Sequence, residues 1–238
     1  GYTGPTGYTG PTGYTGPTGQ TGAASTVTGP TGIGWTVYQT AGYIYYAGAT
    51  GFNYAAGKDA MNETAPTGGS NVGIGANALE ALTTGSYNIA IGTDALTKAT
   101  SASRNIALGL EAAEGNTTGT RNTAIGYQAY GNSDTEDDNI AIGYQGFRAL
   151  GGSDFYAGGV TTGGRNTAVG HYTLSLVTTA SFNTAVGGTA GYYNTSGANN
   201  TFVGAFAGYS SLSGSNNTAI GFYAMNGGFG GVGIITGS

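Results

Sequence analysis

One asparagine returns at a fixed interval through most of this chain. It stands at Asn71, Asn88, Asn105, Asn122, Asn139, Asn166, Asn183, Asn200 and Asn217, every 17 residues except for one interval of 27. A single unit of this length cannot bury its own apolar face, so successive units must stack into a solenoid. A helical repeat is the competing reading. It fails on propensity, because every unit carries several Gly, Thr and Asn residues.

The unit is N-x-A-[ILV]-G, in full at Asn88 (NIAIG), Asn122 (NTAIG), Asn166 (NTAVG) and Asn217 (NTAIG). A weaker copy, NYAAG, begins at Asn53. Alternation makes the unit a short strand. Its fourth position is Ile74, Ile91, Leu108, Ile125, Ile142, Val169, Val186, Val203 and Ile220. Large and apolar each time, this series is expected to fill the interior, with second-position residues such as Ile89, Thr123 and Thr184 beside it. The third position is Ala except at Gly73 and Phe202. It is expected on the opposite face, small enough for another backbone to approach. The closing Gly permits a positive φ.

A second small or apolar pair follows (Ala78-Leu79, Ala95-Leu96, Ala129-Tyr130, Ala224-Met225), read as a second short strand. Then comes a turn such as Thr83-Thr84-Gly85, Thr117-Thr118-Gly119 or Thr195-Ser196-Gly197. Each rung is therefore expected to hold two strands and two turns. Stacked asparagines are expected to form an amide ladder, as in cross-β chains. At about 4.8 Å per rung, nine rungs stand roughly 45 Å tall.

A different period governs the start. Glycine occupies positions 1, 4, 7, 10, 13, 16, 19 and 22, in GYTGPT units. Only Gly fits the axis of a collagen triple helix, and Pro5, Pro11 and Pro17 suit its extended chains. A flexible linker has no reason to keep this phase. A triple helix needs three parallel chains, so residues 1–33 are read as a collagen-like stalk, roughly 100 Å long at about 3 Å per residue. The phase breaks after Gly22.

Residues 34–70 form an aromatic-rich transition, WTVYQTAGYIYYAG in its first part. It reads as a cap on the open solenoid end or as a docking strand for a neighbouring molecule. Residues 71–238 hold about nine rungs. The long interval places an insertion near 151–160, where Asp154, Phe155 and Tyr156 form a candidate binding loop. Asp134, Glu136, Asp137 and Asp138 are the one dense acidic run and a weak Ca²⁺ candidate, without EF-hand spacing; a solvated acidic turn is the plainer reading. His171 reads as a surface or core residue. N-x-[ST] sequons at Asn62, Asn116, Asn194, Asn199 and Asn216 matter only in a glycosylating compartment.

Composition narrows the function. Six Lys and Arg against eleven Asp and Glu, a net charge of −5, argue against nucleic-acid binding. No stretch is apolar enough for a membrane span. Cysteine is absent and His occurs once, so disulfides are excluded and little is left for catalysis. The reading is a non-enzyme without cofactor. The chain opens inside a running repeat and without Met, which reads as a processed or incomplete chain.

The N-x-A-I-G units resemble the trimeric β-roll heads of YadA-like adhesins. NTAIGYQA, Asn122 to Ala129, is similar to repeats of viral, phage and bacterial fibre proteins. The likeness spans 71–225, with rungs longer than those of the YadA-like repeat. The GPT units resemble collagen-like regions of spore-surface and giant-virus fibres, which makes Thr6, Thr12 and Thr18 candidates for O-glycosylation. Together these imply an all-β protein: a parallel β-solenoid, or β-roll, with 17-residue rungs, homotrimeric and preceded by a collagen-like triple helix. Its expected role is an extracellular structural fibre on a cell or virion surface, associating with itself and carrying glycans. The alternative is an adhesin that attaches to a host glycan or receptor. A polysaccharide depolymerase is a remote third class.

Overall fold

In the computed structural model of the chain, residues 44–48, 53–61, 66–131, 135–147, 163–226 and 234–236 are described. They form one twelve-stranded sheet in chain order. The strands are β1 (Ile44–Gly48), β2 (Asn53–Gly57), β3 (Val72–Ile74), β4 (Ile89–Ile91), β5 (Ile106–Leu108), β6 (Thr123–Ile125), β7 (Ile140–Ile142), β8 (Thr167–Val169), β9 (Thr184–Val186), β10 (Thr201–Val203), β11 (Thr218–Ile220) and β12 (Ile234–Thr236). From β2 to β12 every pairing is parallel. The 17-residue rung is thus one turn of a parallel β-solenoid. The long interval does not disturb it: Ile140 pairs with Thr167 as Ile106 pairs with Thr123. β1 differs. It folds back antiparallel on β2, Tyr46 opposite Ala55, so the terminal rung is covered by a hairpin of its own chain.

The interior is the reverse of what the alternation suggested. The third position faces inward: Ala90, Ala107, Ala124, Ala141, Ala168, Ala185 and Ala219 are fully buried. Ile74, Ile91, Leu108, Ile125, Ile142, Val169, Val186, Val203 and Ile220 face outward, as do Ile89, Thr123 and Thr184, and none is buried. Ile91 is 41% and Ile220 49% exposed. Alternation fixes which residues share a face but not which face is inside. The deciding constraint lies outside the strand. Large side chains after it (Leu79, Leu96, Tyr130, Phe147, Leu174) are fully buried and fill the space that a strand-borne Ile would need. Against them only Ala fits.

Those residues do not form a second strand either. Asp94 and Leu96 have φ of 57° and 51°, and the same pair of left-handed residues recurs at Asn77 and Leu79 and at Gln128 and Tyr130. This conformation ends an extended run and turns the chain. Each coil from β3 to β11 therefore has one three-residue strand, a left-handed corner after it, a return arm and, where another Asn follows, a second left-handed residue just before that Asn.

Two hydrogen-bonded ladders hold coil to coil. The Asn88 backbone N–H and Nδ2 both donate to Asn71 Oδ1, at 2.9 and 3.0 Å, and Nδ2 also donates to the Ala102 carbonyl at 2.7 Å. The backbone contact repeats from Asn71 to Asn217, across the long interval at Asn166. The asparagines are buried, and each link is worth about 1 kcal/mol net, with a larger penalty if left unmade. At the far turn, Thr83 Oγ1 donates to the Thr100 carbonyl, Thr100 to Thr117 and Thr195 to Leu212. The strand-closing glycines stack just as closely. Gly92 has a φ of 141°, and a Cβ there would lie 2.2 Å from the Gly109 carbonyl oxygen, so any side chain would pry two coils apart.

Candidate functional site

The buried positions of the described coils hold Ala, Leu, aromatic and Asn side chains, and the candidate surfaces for function lie on the outside of the coil. Three surfaces run along it, each built by recurring positions of the repeat.

The first is the outward face of the strands. All eighteen second- and fourth-position residues of β3–β11 are Val, Ile, Leu or Thr. One-to-one register places each above its counterpart. The result is an uncharged strip, β-branched except at Leu108, with Ile74, Ile89, Ile106, Ile140 and Val186 exposed.

The second is the corner before each Asn. Its residues take left-handed φ, among them Tyr87, Arg104, Arg121, Asp138, Arg165 and Phe182. Arg104 lies over the Tyr87 ring at 5.7 Å and Arg165 over Phe182 at 5.3 Å. Arg121 Nε donates to Asp138 Oδ1 at 2.5 Å, and its Nη2 reaches Asp137 Oδ2 at 3.2 Å. The hydrogen bond between them holds the Asp138 carboxyl below its usual range and pushes the Arg121 guanidinium further up. Arg165 Nε stands 3.7 Å from Asp138.

This accounts for much of the acidic run. Asp137 and Asp138 face arginines, and Asp137 Oδ1 also accepts from the Thr120 N–H and hydroxyl. Glu136 is buried, with Oε2 accepting from the Thr135 N–H. Among the described residues no three His, Asp or Glu side chains are grouped to hold a metal. Asp134 lies outside the described residues, as do Thr6, Thr12, Thr18, Asp154, Phe155 and Tyr156.

The third surface follows the strand-closing Gly. In the N-terminal coils it is polar: Asn77 Nδ2 donates to Asp94 at 2.8 Å, Gln128 Nε2 donates to Glu111, and Gln145 Nε2 donates to Gln128 at 2.5 Å. Toward the C-terminus it becomes a continuous run of rings. Tyr127 meets Tyr144 at 5.2 Å, Tyr144 meets His171 at 5.1 Å, and Tyr172 meets Tyr192 at 6.3 Å. Tyr192 stacks on Tyr209 at 5.6 Å, and Phe206 lies parallel to Tyr223 at 4.7 Å. Tyr144 and Tyr223 are each 44% exposed, and Phe222 is 65% exposed. Burial first, then neighbouring tyrosines, pushes the Tyr192 phenol up; burial does the same at Tyr209. His171, alone in the chain, is one of the stacked rings. Part of the aromatic array was legible in GYQ, GHY and GFY, which share the place behind the strand; Tyr192 and Tyr209 join it from the position after the corner glycines Gly191 and Gly208.

The sequons divide by burial. Asn116 and Asn194 are buried, each with Nδ2 donating to the carbonyl of its own turn, Gly119 and Gly197. Asn199 and Asn216 are exposed, and Asn62 is outside the described residues.

No family model, curated protein or solved structure matches this chain. Among the described residues no helix is long and apolar enough to cross a membrane.

Proposed function

We propose that this chain is a structural fibre protein of an extracellular surface, cell or virion. In this reading a collagen-like N-terminal stalk joins three copies, and each copy contributes a rigid β-solenoid rod of the YadA-like kind. The observation that carries the reading is the unbroken ladder. The Asn-to-Asn contact and the parallel strand register run from coil to coil without a gap, even across the long interval. A rod cross-linked at every rise of about 4.8 Å resists bending and stretching, the property a fibre needs. The three-residue glycine phase of the first 22 residues supports three parallel copies.

The aromatic corner favours a second reading, an adhesin that binds a glycan or receptor. Exposed rings over several consecutive coils offer flat apolar faces with phenolic hydroxyls at their rims.

Electron microscopy of the full-length chain tests the first reading. The expected result is slender particles with three-fold symmetry and a meridional repeat near 4.8 Å. Compact monomeric particles would remove it. An array of immobilised polysaccharides and cell-surface glycans tests the second. Binding lost on Tyr144→Ala and Phe222→Ala, with rod assembly intact, would make the protein an adhesin.

A further inference from the structure

We infer that the aromatic corner is an oxidative cross-linking site, at which hydrogen peroxide and a haem peroxidase join phenols of successive coils into dityrosine. The inference concerns contacts within one chain. It goes beyond both readings above and does not depend on which of them holds. Four observations support it.

The phenols meet across the junction between coils. Tyr127 and Tyr144 hold the same place in successive coils, and their rings lie 5.2 Å apart at 30°. Tyr144 also meets Tyr172 of the following coil edge-on, at 5.7 Å. Farther along, Tyr209 meets Tyr193 at 5.1 Å and Tyr192 at 5.6 Å, both from the coil before it. The Tyr209 hydroxyl is hydrogen-bonded to that of Tyr193, which draws together the ring carbons beside the two hydroxyls. Tyr144 and Tyr209 thus each have two phenols of neighbouring coils within reach.

One ring at each place is open to an oxidant. Tyr144 is 44% and Tyr193 is 37% exposed. Exposed side chains turn on the picosecond to nanosecond scale, so contact is sufficient for the rings to reach a coupling geometry.

Competing reductants are few. The chain has eighteen tyrosines, two methionines and no cysteine. Thiols and thioethers are the usual targets of oxidation. Here the first are absent, and Met61 and Met225 are both buried.

The bond also meets a need of this rod. Without cysteine no disulfide is available. The Asn ladder stops at Asn217, whose buried Oδ1 has no partner among the described residues. Coils near such an end are held from one side and open most readily. A bond from Tyr193 to Tyr209 closes a whole coil close to that end, and one from Tyr127 to Tyr144 closes another farther back.

The step balances. Each phenol, protonated at neutral pH, gives up one electron and one proton. The two phenoxyl radicals join through the ring carbons next to their hydroxyls. The hydrogens on those carbons then move to the oxygens, which restores both phenols. Hydrogen peroxide takes the two electrons and two protons and leaves as two waters, and the haem returns to its starting state.

The test treats the full-length chain, at low concentration, with hydrogen peroxide and a haem peroxidase. The product is denatured, sized by gel electrophoresis and mapped by peptide mass spectrometry. The expected result is a single-chain band with dityrosine fluorescence. Linked peptides, each lighter by two hydrogen atoms, should join Tyr127 to Tyr144 and Tyr192 or Tyr193 to Tyr209. Tyr144→Phe and Tyr209→Phe keep the ring and remove only the hydroxyl, and circular dichroism checks that they keep the parent spectrum. Each should abolish its own link and leave the other. Tyr87 is more exposed, at 59%, but faces Arg104 and no other ring among the described residues, so Tyr87→Phe should change neither link. The treated parent should have its urea midpoint raised by about 1 M, and the treated double variant Tyr144→Phe with Tyr209→Phe should not. Links confined to Tyr87 or to residues 1–48, or chains joined to one another without the two coil-to-coil links, overturn the inference. A chain that carries both links with an unmoved urea midpoint overturns their part in holding the coils.

Discussion

The coils of β4 and β10 enclose the same space with opposite parts. In the β4 coil the strand supplies Ala90 and the left-handed corner supplies Leu96, both fully buried. In the β10 coil the strand supplies Phe202, also fully buried, and the matching corner residues are Gly191 and Gly208. A Cβ on Gly208 would lie 2.3 Å from Phe202 Cδ1, and one on Gly191 would lie 2.8 Å from Cδ2. The large side chain has moved from corner to strand, and the corners above and below have given way to it. What is held constant along the rod is the filled volume and the hydrogen-bonded frame, not the residue at a given position.

A double-mutant cycle can break that comparison, and it carries the largest expected effects. Phe202→Ala alone should cost about 3–5 kcal/mol, because it opens a cavity that the two glycines cannot fill. Gly208→Leu alone forces a branched side chain into the ring and should cost about 1–3 kcal/mol or more. The double variant rebuilds a coil of the β4 type. It should be more stable than the sum of the singles by at least about 1 kcal/mol. Urea denaturation followed by circular dichroism measures all four corners of the cycle. Simple additivity would show that the two sites do not share a space.

A second substitution addresses what the two coils have in common. Asn88→Ala removes the side-chain links to Asn71 and Ala102 and takes away the acceptor of the Asn105 backbone N–H. The expected loss is about 3–4 kcal/mol, built from a few bonds near 1 kcal/mol and one stranded buried donor. Asn88→Asp keeps the acceptor and should recover part of it. Asn200→Ala in the β10 region should cost about one hydrogen bond less, since its Nδ2 donates to the Gly214 carbonyl and its Oδ1 accepts from the Asn217 N–H and Nδ2, while its contact with Asn183 is made by the backbone N–H and survives the substitution. A larger difference would mean that the frame, like the filling, differs between coils.

This division explains what could be read from the sequence. The Asn period alone gave the solenoid, its rung length and the ladder, because a buried amide that bonds to its own copy can be replaced by nothing else at that place. The inside–outside assignment was not legible. Alternation in NIAIG is equally consistent with either face turned inward, and residue size pointed to Ile. The decision is made by Leu79, Leu96 and Tyr130, whose left-handed φ no local pattern announces. The same blindness turned those residues into a second strand. Phe202, an exception at the third position, was the clue: with glycine at both neighbouring corners, it shows that strand and corner share one interior.

The smallest expected effects lie on the surface, where the two ends of the rod differ in charge and in rings. Burial raises the Tyr192 and Tyr209 phenols above their ordinary value. A raised phenol stabilises the fold fully below the unfolded value near 10 and loses that contribution as pH rises through the folded value. The aromatic end should therefore loosen in alkali. Tyr192→Phe with Tyr209→Phe should flatten the fall in stability above about pH 10, measured by urea midpoint. Asp138 is the mirror case. Its hydrogen bond to Arg121 depresses its pKa, so its contribution is present above the unfolded value near 3.8 and fades as pH falls through the lower, folded one. The carboxylate and its arginine partners are solvent-exposed, so water and salt screen them. The expected effect is a small drop in urea midpoint below pH 3.8 that 0.5 M salt removes and Asp138→Asn abolishes. A large, salt-insensitive acid transition surviving Asp138→Asn would place the weak point elsewhere, and Glu136, buried beside the Asn122 amide contact, would be the next residue to replace.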